Sequence, residues 1–477
     1  MYRTDKFYID GQWVEPIGKG TFTLINPSDE QAHAELAMGN AEDVERAVQA
    51  ARRAFSDYSR WTPGQRIELL ERVLSIYLRR YEEFAQAMTL EMGVPIAFSR
   101  GAQAARGTLH IEEIIRVLRR FKFHEQHGTT QIRREAIGVC GLITPWNWPV
   151  NQIVVKTAPA LAAGCTIVLK PSEFSALSAL LFAEVLDEAG VPPGVFNLVN
   201  GEGSTVGHAI STHPGIDMVS FTGSTQTGIR VAKAAADTVK RVAQELGGKS
   251  ANLLLEDADL SDAVSKGIAA CFTNSGQSCS IPTRMLVPAK LMADVVQIAR
   301  AEAARYSVGD PHDENTQLGP LVNRAQFERV QTLVQTGIDE GAELICGGIG
   351  RPAGLQKGYY ARPTVFANVL PHMTIAQEEI FGPVLSIIAY HSEEEAIEIA
   401  NGTPYGLAAY VQSADLQHAR DVAGRLRAGQ VHLNYPLADF GAPFGGVKQS
   451  GNGREWGEHG LMEYLEIKAI VGYEPAP

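Results

Sequence analysis

Apolar positions in the first 120 residues follow a helical period over most of their length. Residues 43–55 place apolar side chains at spacings of three and four, which predicts a helix with one buried face. Residues 67–92 continue this spacing in longer amphipathic helices, after a short extended segment at residues 6–14. We therefore expect a short strand region followed by helices at the start of the chain.

From residue 138 onward, short apolar segments alternate with longer amphipathic segments. Strands are predicted at 138–144, 166–170, 195–199, 218–222 and 241–245, and helices at 150–164, 176–189 and 225–236. The pattern restarts with a strand at 252–255, a helix at 262–273 and a strand at 283–287, and continues to about residue 446. Such alternation indicates parallel α/β sheets, and the restart indicates a second α/β domain that begins near residue 248.

Size and charge narrow the class of protein. A chain of 477 residues exceeds one ordinary core, which favours two or three domains. The net charge of −12, without a block of basic residues, argues against nucleic acid or anionic membrane as partners. The apolar run 157–169 is too short to span a bilayer, and the first residues lack the apolar core of a secretory signal. We therefore expect a cytoplasmic protein without a membrane span.

One cysteine stands apart from the others. The chain has five, at Cys140, Cys165, Cys271, Cys279 and Cys346. Their odd number and the lack of a Cys-x-x-Cys pair indicate neither a disulfide framework nor a zinc site, so no metal is expected. Four lie in apolar or small-residue runs typical of buried structural cysteines, whereas Cys279 lies in the polar turn Gly-Gln-Ser-Cys-Ser.

Cys279 has a candidate chemical partner in Glu245, which precedes a Gly-Gly pair at a strand–helix boundary. A thiol that becomes a nucleophile and a carboxylate that activates water are the two groups needed to form and hydrolyse a thioester. Taken singly, such a thiol is more often structural and such a carboxylate more often solvated. Their chemistry therefore depends on the motifs around them.

Three glycine-rich motifs suggest different nucleotide sites. Gly203 and Gly207 belong to a Gly-x-Gly-x-x-x-Gly run that is one residue off the dinucleotide fingerprint. Residues 247–250 resemble the end of a P-loop, but Ala243 stands where that motif requires glycine, so we reject it. Residues 221–228 fit best, because a glycine turn and a capping serine there create an anion-binding helix N-terminus suited to a pyrophosphate.

Seven separated motifs, in order, resemble those of the NAD(P)-dependent aldehyde dehydrogenase superfamily of the hydrolytic, non-acylating type. They are residues 144–149 (Thr-Pro-Trp-Asn-Trp-Pro), 170–173 (Lys-Pro-Ser-Glu), 223–228 (Gly-Ser-Thr-Gln-Thr-Gly), 245–249 (Glu-Leu-Gly-Gly-Lys), 276–279 (Gly-Gln-Ser-Cys), 379–384 (Glu-Ile-Phe-Gly-Pro-Val) and 443–451 (Pro-Phe-Gly-Gly-Val-Lys-Gln-Ser-Gly). An accidental set of seven in order is very improbable.

The resemblance implies oxidation of an aldehyde to the carboxylic acid through a thiohemiacetal and a thioester. It implies Cys279 as the nucleophile and Glu245 as the general base for hydrolysis. It also assigns the oxyanion donors to the Asn147 side-chain amide and the Cys279 backbone N–H. Lys156 and Glu455 match positions that relay the proton released in hydrolysis.

The resemblance further implies NAD as the cofactor. The implied cofactor residues are Thr144, Pro145, Trp146, Lys170, Ser172, Glu173, Gly203, Gly207, Phe221, Gly223, Ser224, Gly228, Leu246, Glu379 and Phe381. A carboxylate at Glu173 can accept hydrogen bonds from both ribose hydroxyls and would repel a 2′-phosphate. NAD is therefore favoured, and NADP stays open as a weaker alternative because relatives with a similar segment use it.

The substrate is expected to be a small-molecule aldehyde. The implied tunnel residues are Trp148, Asn151, Gln152, Val155, Ser278, Ser280, Ala438 and Phe444. Their amide and hydroxyl groups make the tunnel more polar than an aliphatic channel. No cationic cluster for a phosphate or dicarboxylate is apparent in the sequence.

The implied fold is α/β, with two parallel-sheet Rossmann-like domains and a small β arm. The NAD-binding domain is placed at 1–119 and 136–247, the catalytic domain at 248–455, and the arm at 120–135 and 456–477. Extended segments at 122–134 and 464–471 fit the arm. In the resembled family this arm mediates assembly, so we expect a homo-oligomer, either a dimer or a tetramer of paired dimers.

Three other functions remain open. A coenzyme A-acylating semialdehyde dehydrogenase would transfer the acyl group to a thiol, which needs no activated water, so Glu245 argues against it. A catalytically silent structural relative has no chemical reason to keep Cys279, Glu245 and Asn147 together. A thiol esterase would not need the implied nucleotide residues.

Overall fold

The computed structural model describes residues 2–474, and these form twenty strands and sixteen α-helices. Residue 1 and residues 475–477, which the predicted domain ranges include, lie outside the described residues. The strands are β1 Phe7–Ile9, β2 Gln12–Val14, β3 Gly20–Ile25, β4 Ala32–Met38, β5 His124–His127, β6 Thr130–Ala136, β7 Val139–Ile143, β8 Thr166–Lys170, β9 Phe196–Leu198, β10 Met218–Thr222, β11 Arg241–Glu245, β12 Ala251–Leu254, β13 Arg284–Pro288, β14 Glu343–Cys346, β15 Thr364–Ala367, β16 Val384–Tyr390, β17 Ala408–Gln412, β18 Gln430–Leu433, β19 Gly451–Asn452 and β20 Leu465–Ile470.

The helices surround and connect these strands. They are α1 Ala41–Tyr58, α2 Pro63–Arg79, α3 Tyr81–Met92, α4 Ile96–Phe98, α5 Ala104–Leu118, α6 Pro149–Ala163, α7 Ala176–Glu188, α8 His208–Thr212, α9 Thr225–Ala235, α10 Leu260–Phe272, α11 Met292–Ala303, α12 Arg324–Asp339, α13 Thr374–Gln377, α14 Glu393–Asn401, α15 Leu416–Ala423 and α16 Gly457–Glu463. Short π-helical turns at Ser99–Gln103 and Gly203–Gly207 and 3₁₀ turns at Glu173–Ser175, Ala236–Thr238, Thr273–Gly276, Ala289–Leu291 and Lys448–Ser450 complete the regular structure.

The first sheet has eight strands in the order β19-β11-β10-β7-β8-β9-β1-β2. Its five central strands, from β11 to β9, are parallel, as the alternating sequence pattern predicts. Both edges are antiparallel, because the predicted strand at 6–14 folds into the hairpin β1–β2 and the distant β19 pairs with β11. The hairpin turns at Asp10 and Gly11, which both have positive φ.

The second sheet has seven strands in the order β14-β15-β16-β13-β12-β17-β18. All of its neighbouring pairs are parallel except β14–β15 at one edge. The prediction of an α/β fold with two mainly parallel sheets is therefore confirmed. Its physical basis is that strands buried on both faces are apolar throughout, whereas the helices that cover them are amphipathic.

The predicted extended segments at 122–134 and 464–471 meet in a third, three-stranded antiparallel sheet of order β20-β6-β5. Helix α16, which precedes β20, packs instead against α5 and α6, and Leu461 lies in the core with them. A further hairpin, β3–β4, was not predicted from the sequence.

Helix α6 brings polar side chains into the interior. All of its residues are buried, including Asn151, Gln152 and Lys156. It begins with Pro149, whose missing N–H is no loss at a first helical position, and ends at Gly164 with a left-handed φ of 92°. A helix buried on all sides is normally apolar all round, so its polar residues indicate partners inside the protein.

Four parallel strands of the first sheet end side by side. The register places Ile143 opposite Lys170 on one side, and Thr222 opposite Glu245 on another. Ligand sites of open α/β sheets form beyond these carboxyl ends. The second sheet is joined to this edge where the Gly248 N–H donates to Glu379 Oε1 over 3.0 Å.

Candidate active site

The turn that leads to Cys279 has an unusual backbone. Asn274 and Ser275 both adopt left-handed conformations, with φ of 56° and 54°, and Gly276 follows at 76°. A Cβ at Gly276 would overlap the carbonyl of Gly382, so only glycine fits there. Consecutive residues of this kind persist only where the surroundings hold them in place.

A buried hydrogen-bond network provides that support. Asn274 Nδ2 donates to the backbone oxygens of Asn147, over 2.8 Å, and Gln277, over 3.1 Å. Gln103 Nε2 donates to Asn147 O and to Asn274 Oδ1, over 3.2 and 3.1 Å. The N–H of Val322 donates to Gln277 Oε1 over 2.9 Å. The cysteine turn is therefore fixed to the segment that follows β7.

Asn147 also contacts this turn through its side chain. Its Nδ2 donates to Gln277 O over 3.1 Å, and the residue is buried. A side-chain amide carries two N–H groups, so one remains after this bond. The structure thus brings an amide donor to the turn that carries Cys279, although Asn147 does not itself line the cavity in front of the thiol.

Cys279 lies on the wall of a cavity of about 640 Å³. Seven of the eight predicted substrate residues line it: Trp148, Asn151, Gln152, Ser278, Ser280, Ala438 and Phe444. Val155 does not line it; it lies about one helical turn beyond Asn151 and Gln152 and lines a separate small pocket with Glu245. Trp148 Nε1 donates to Ser278 Oγ over 2.7 Å, which joins the wall to the cysteine turn.

Several residues of this wall were missed in the sequence. They include Arg106, Tyr410, His432 and Trp456. Tyr410 stacks on His432 with ring centres 4.7 Å apart, and Phe444 stacks on Trp456 at the same distance. Arg106 brings a guanidinium to a cavity for which the sequence indicated no cationic cluster. No motif marks it, since it lies within α5, far from Cys279 in sequence.

Glu245 lines a small pocket that shares Glu455 with this cavity. Neither carboxyl oxygen has a hydrogen-bond partner among residues 2–474, and a Cβ at Gly445 would overlap the carboxyl. Burial raises the pKa of Glu245 well above its ordinary value, and the nearby Glu455 carboxylate raises it further. Both effects favour the protonated form of this carboxyl.

Lys156 and Glu455 form a buried ion pair beside Glu245. Lys156 Nζ also donates to Ser220 Oγ over 3.0 Å, and its side chain is fully buried. Glu455 lines both the small pocket of Glu245 and the large cavity of Cys279. The three predicted proton-handling residues are therefore brought together, and Glu455 connects them to the cavity.

The Cys279 thiol is not ionised at rest. Burial raises its pKa to about 12, with further contributions from the carboxylates of Glu379 and Glu245. A thiolate is the reactive form of cysteine. The proton must therefore leave Cys279 when a substrate approaches, rather than before.

A second cavity, of about 520 Å³, lies on the other side of the segment 144–148. It is lined by eleven of the predicted cofactor residues: Thr144, Pro145, Trp146, Lys170, Ser172, Glu173, Gly203, Gly207, Phe221, Gly223 and Ser224. Ser224 Oγ accepts from the Thr227 N–H over 3.3 Å and so caps α9 at the cleft. A Cβ at Gly223 would overlap the Phe221 ring, which explains the glycine in this turn.

Four predicted cofactor residues lie off this wall. Gly228 packs on Leu246, where a Cβ would overlap the leucine side chain. Phe381 meets the edge of Trp146 with ring centres 5.5 Å apart. Glu379 lies beside Gly248, and burial raises its pKa to about 7.

The charges in the cleft are balanced. Lys170 Nζ donates to Pro171 O over 2.7 Å and lies 3.5 Å from Glu173 Oε2. Burial lowers the pKa of Lys170, and Glu173 opposes that effect. The glycine turn, the capped helix and this Lys–Glu pair fit a dinucleotide, with the pyrophosphate at the helix N-terminus and a ribose at the carboxylate.

Residues 2–474 contain neither a cluster suited to a metal ion nor a helix suited to span a membrane. No group of three or more histidine, cysteine or acidic side chains is arranged to hold a metal ion. No helix in that range is both long and apolar enough to cross a membrane.

Comparisons with known proteins agree with this geometry. The profile of the aldehyde dehydrogenase family matches residues 13–470. The chain is 54% identical to a 3-succinoylsemialdehyde-pyridine dehydrogenase of Pseudomonas sp, over 98% of both chains. It superposes with a TM-score of 0.99 and 55% identity on a mutant aldehyde dehydrogenase C of Pseudomonas syringae in complex with NAD+ and octanal, covering 99% of this chain and 98% of that one. A betaine aldehyde dehydrogenase of Staphylococcus aureus in complex with NAD+ matches at 36% identity with a TM-score of 0.95, covering 99% and 95%.

Proposed function

Since the chain belongs to the aldehyde dehydrogenase family, we propose that it oxidises an aldehyde to the carboxylic acid with NAD, through a thioester on Cys279. One observation carries the proposal. Cys279 lines a cavity of about 640 Å³ that shares Glu455 with the pocket of Glu245, and a second cavity of about 520 Å³ is lined by eleven of the predicted cofactor residues. Both cavities adjoin the same segment after β7, so hydride transfer and acyl transfer can occur at one carbon.

In the first step, Cys279 Sγ attacks the aldehyde carbon. The thiol gives its proton to water in the cavity and a C–S bond forms while the C=O π bond breaks, so that the carbonyl oxygen becomes an oxyanion. The remaining N–H of the Asn147 amide and the backbone N–H of Cys279 are the proposed donors to that oxyanion. Neutral donors suit this role because they hold the negative charge without taking up a proton.

The cofactor residues hold and orient the nucleotide. Lys170 and Glu173 would bind the adenosine ribose, and Glu379 the nicotinamide ribose, while Trp146 and Phe381 wall the cleft. When bound there, NAD accepts the hydride that leaves the thiohemiacetal carbon. Loss of that hydride leaves the acyl group on Cys279 as a thioester.

Hydrolysis of the thioester is assigned to Glu245. A water gives its proton to the Glu245 carboxylate and attacks the acyl carbon, and the C–S bond then breaks to release the acid. Burial favours the protonated form of Glu245, so the base must pass its proton on between turnovers, and Glu455, which lines both pockets, is the proposed acceptor. The Lys156 ammonium stabilises the carboxylate that results, and Glu455 opens to the cavity.

The acyl acceptor separates this proposal from its alternatives. Purified protein is mixed with NAD and a generic aldehyde, with and without coenzyme A, and reduced cofactor is followed by its absorbance. We expect multiple turnovers without coenzyme A. A strict need for coenzyme A would indicate the acylating enzyme, and no reduction in either case would indicate a silent relative or an esterase.

The sheets and helices of the fold support a proposed division into domains. The NAD-binding domain would comprise 1–119 and 136–247, the catalytic domain 248–455, and the arm 120–135 and 456–477. The two large sheets support the first two units. The position of α16 against α5 and α6 suggests that the arm proper begins after it, near β20.

We also propose that the arm joins copies of the chain into a dimer or tetramer. Both edges of the three-stranded sheet are unpaired within residues 2–474, and such edges are normally covered by a partner. Ile467 of β20 is 70% exposed and Val471 is 80% exposed. Neighbouring apolar side chains that are exposed to this extent are typical of a protein–protein interface. Light scattering on the purified protein should give a dimeric or tetrameric mass. Ile467→Lys should lower that mass, whereas Leu416→Lys, on α15 away from the arm, should not.

A cytoplasmic location is proposed on the basis of the thiols. All five cysteines are free, and a catalytic thiol needs a reducing compartment. Cell fractionation followed by immunodetection tests this proposal, and recovery in an extracytoplasmic fraction would contradict it.

A further inference from the structure

We propose that Arg106 is an anion-recognition point for the substrate, so that the enzyme prefers aldehydes whose far end carries a carboxylate. The inference rests on the proposed function, since it concerns the cavity in front of Cys279. Arg106 lies on α5 and contributes to the wall of this cavity. Its guanidinium lies over the Trp148 ring, 4.4 Å from the ring centre, and 5.7 Å from the centre of Phe440.

Contact with the Trp148 ring does not take up the N–H donors of the guanidinium. Cation–π contacts use the flat face of the group, whereas its N–H donors lie in the plane. Among residues 2–474, no carboxylate lies within 4.0 Å of the Arg106 guanidinium, and the guanidinium donates no hydrogen bond. Most other arginines near α5 are paired; Arg116, for example, is bound to Glu113 over 2.6 Å.

The other charged groups of the cavity wall already have partners. Glu455 is paired with Lys156. Asp439 Oδ1 accepts from the Gly441 N–H over 2.9 Å, and the Asp439 charge acts on Arg116. His110, which lies against the same aromatic group, stays neutral because burial, with Arg106, lowers its pKa to about 3. Among the described residues of the cavity wall, Arg106 is thus the cation that has no carboxylate partner.

A carboxylate on the substrate would supply the missing partner. Guanidinium and carboxylate form two parallel charge-assisted hydrogen bonds, stronger than neutral ones. Burial lowers the pKa of Arg106, which reflects the cost of an enclosed cation without a counter-ion. Trp148 and Phe444, which line the cavity, would hold the chain or ring between the two ends. Semialdehydes of dicarboxylic acids and carboxyl-substituted aromatic aldehydes have this chemistry.

Matched substrate pairs test the inference. Straight-chain aldehydes with a terminal carboxylate are compared with alkanals of equal length, and 4-carboxybenzaldehyde with 4-methylbenzaldehyde. The readout is the ratio of kcat/KM for the anionic member to that for the neutral member. In the wild type we expect at least one pair to favour the anion. In Arg106→Met that ratio should fall about 10- to 100-fold, as for loss of a charge-assisted hydrogen bond.

Two further variants separate recognition from structure. Arg106→Lys keeps the charge but not the planar fork, so its ratio should lie between those of wild type and Arg106→Met. Arg119→Met removes an exposed arginine that is paired with Glu71, just past the end of the same helix, and should leave the ratio unchanged. NAD binding and the thermal midpoint confirm that each variant is folded.

The outcomes are distinct. If the wild type favours the neutral member of every pair, or if the ratio changes less than about twofold in both Arg106 variants, the anion subsite is wrong. The wild-type measurement decides this even if a variant fails to fold. If the wild type oxidises no aldehyde of either kind with NAD, the proposed function itself fails.

Discussion

The carboxylate of Glu455 is ion-paired with the buried ammonium of Lys156 and at the same time lines the cavity that contains Cys279. Behind it lies the Glu245 carboxyl, without a hydrogen-bond partner among residues 2–474. Three ionisable groups therefore lie close together, and one of them, Glu455, reaches the substrate cavity. If Glu245 is the base as proposed, Glu455 offers it a route for proton exchange with the cavity.

In Glu455→Gln, the pH below which thioester hydrolysis slows should be lower than in the wild type. The pKa of Glu245 is raised first by burial and next by the Glu455 charge, and only ionised Glu245 can act as a base. Hydrolysis therefore slows as the pH falls through this raised pKa, and removing the Glu455 charge lowers that point. Single-turnover hydrolysis of the acyl-enzyme against pH measures it. The Glu463 carboxylate raises the pKa of Glu245 less than Glu455 does, so Glu463→Gln should shift the pH dependence of hydrolysis less. An unchanged pH dependence in Glu455→Gln would contradict the proposed effect of Glu455 on Glu245.

Alkylation of Cys279 in the cofactor-free enzyme should remain slow at neutral pH and accelerate as the pH rises. Burial raises the pKa of this thiol to about 12, so the thiolate fraction grows about tenfold per pH unit below that value. Iodoacetamide labelling followed by mass spectrometry of the Cys279 peptide gives the rate. A plateau below about pH 8 would mean that the resting thiol is already ionised.

Asn147→Ala should lower kcat by about 10²–10³, the usual effect of removing one oxyanion donor. The side chain also donates to Gln277 O, so a structural contribution is tested separately by NAD binding and thermal stability. Steady-state kinetics on one aldehyde gives kcat and KM. If only KM changes, Asn147 positions the substrate and does not stabilise the oxyanion.

Glu173→Gln should weaken NAD and improve NADP relative to it. The carboxylate borders the cleft beside Lys170, where it would accept hydrogen bonds from ribose hydroxyls and repel a 2′-phosphate. The ratio of kcat/KM for the two cofactors measures the change. A wild-type enzyme that already prefers NADP would show that the electrostatic argument is wrong.

Many strands and helices could be predicted from the sequence, because the local pattern of apolar and turn residues agrees with the fold. The strands Thr166–Lys170, Met218–Thr222 and Arg241–Glu245 have the predicted bounds, since each is an isolated short run between turn residues. The hairpin β3–β4 was missed, because its residues are mixed in exposure and follow no clean alternation. Edge pairings, such as β19 with β11, depend on distant segments and leave no local signal.

Only those residues of the site that belong to a sequence motif could be predicted. Cys279, Glu245 and Asn147 lie in separate motifs, and the fold brings them to one region. Val155 illustrates the limit, since its place on α6 turns it towards the pocket of Glu245 instead of the large cavity. Arg106 has no motif, and its approach to Trp148 follows from the packing of α5 on α6.

The most direct test of the mechanism is the first turnover of Glu245→Gln with NAD and a good aldehyde substrate. The amide keeps the shape of Glu245 but cannot take a proton from water, so acylation should proceed while hydrolysis slows by about 10²–10⁴. We expect a burst of reduced cofactor near one equivalent per active site, with an acyl adduct on Cys279 by mass spectrometry, and no burst in Cys279→Ala. Turnover of Glu245→Gln at the wild-type rate, or an adduct on another residue, would contradict hydrolysis by Glu245 of a thioester on Cys279.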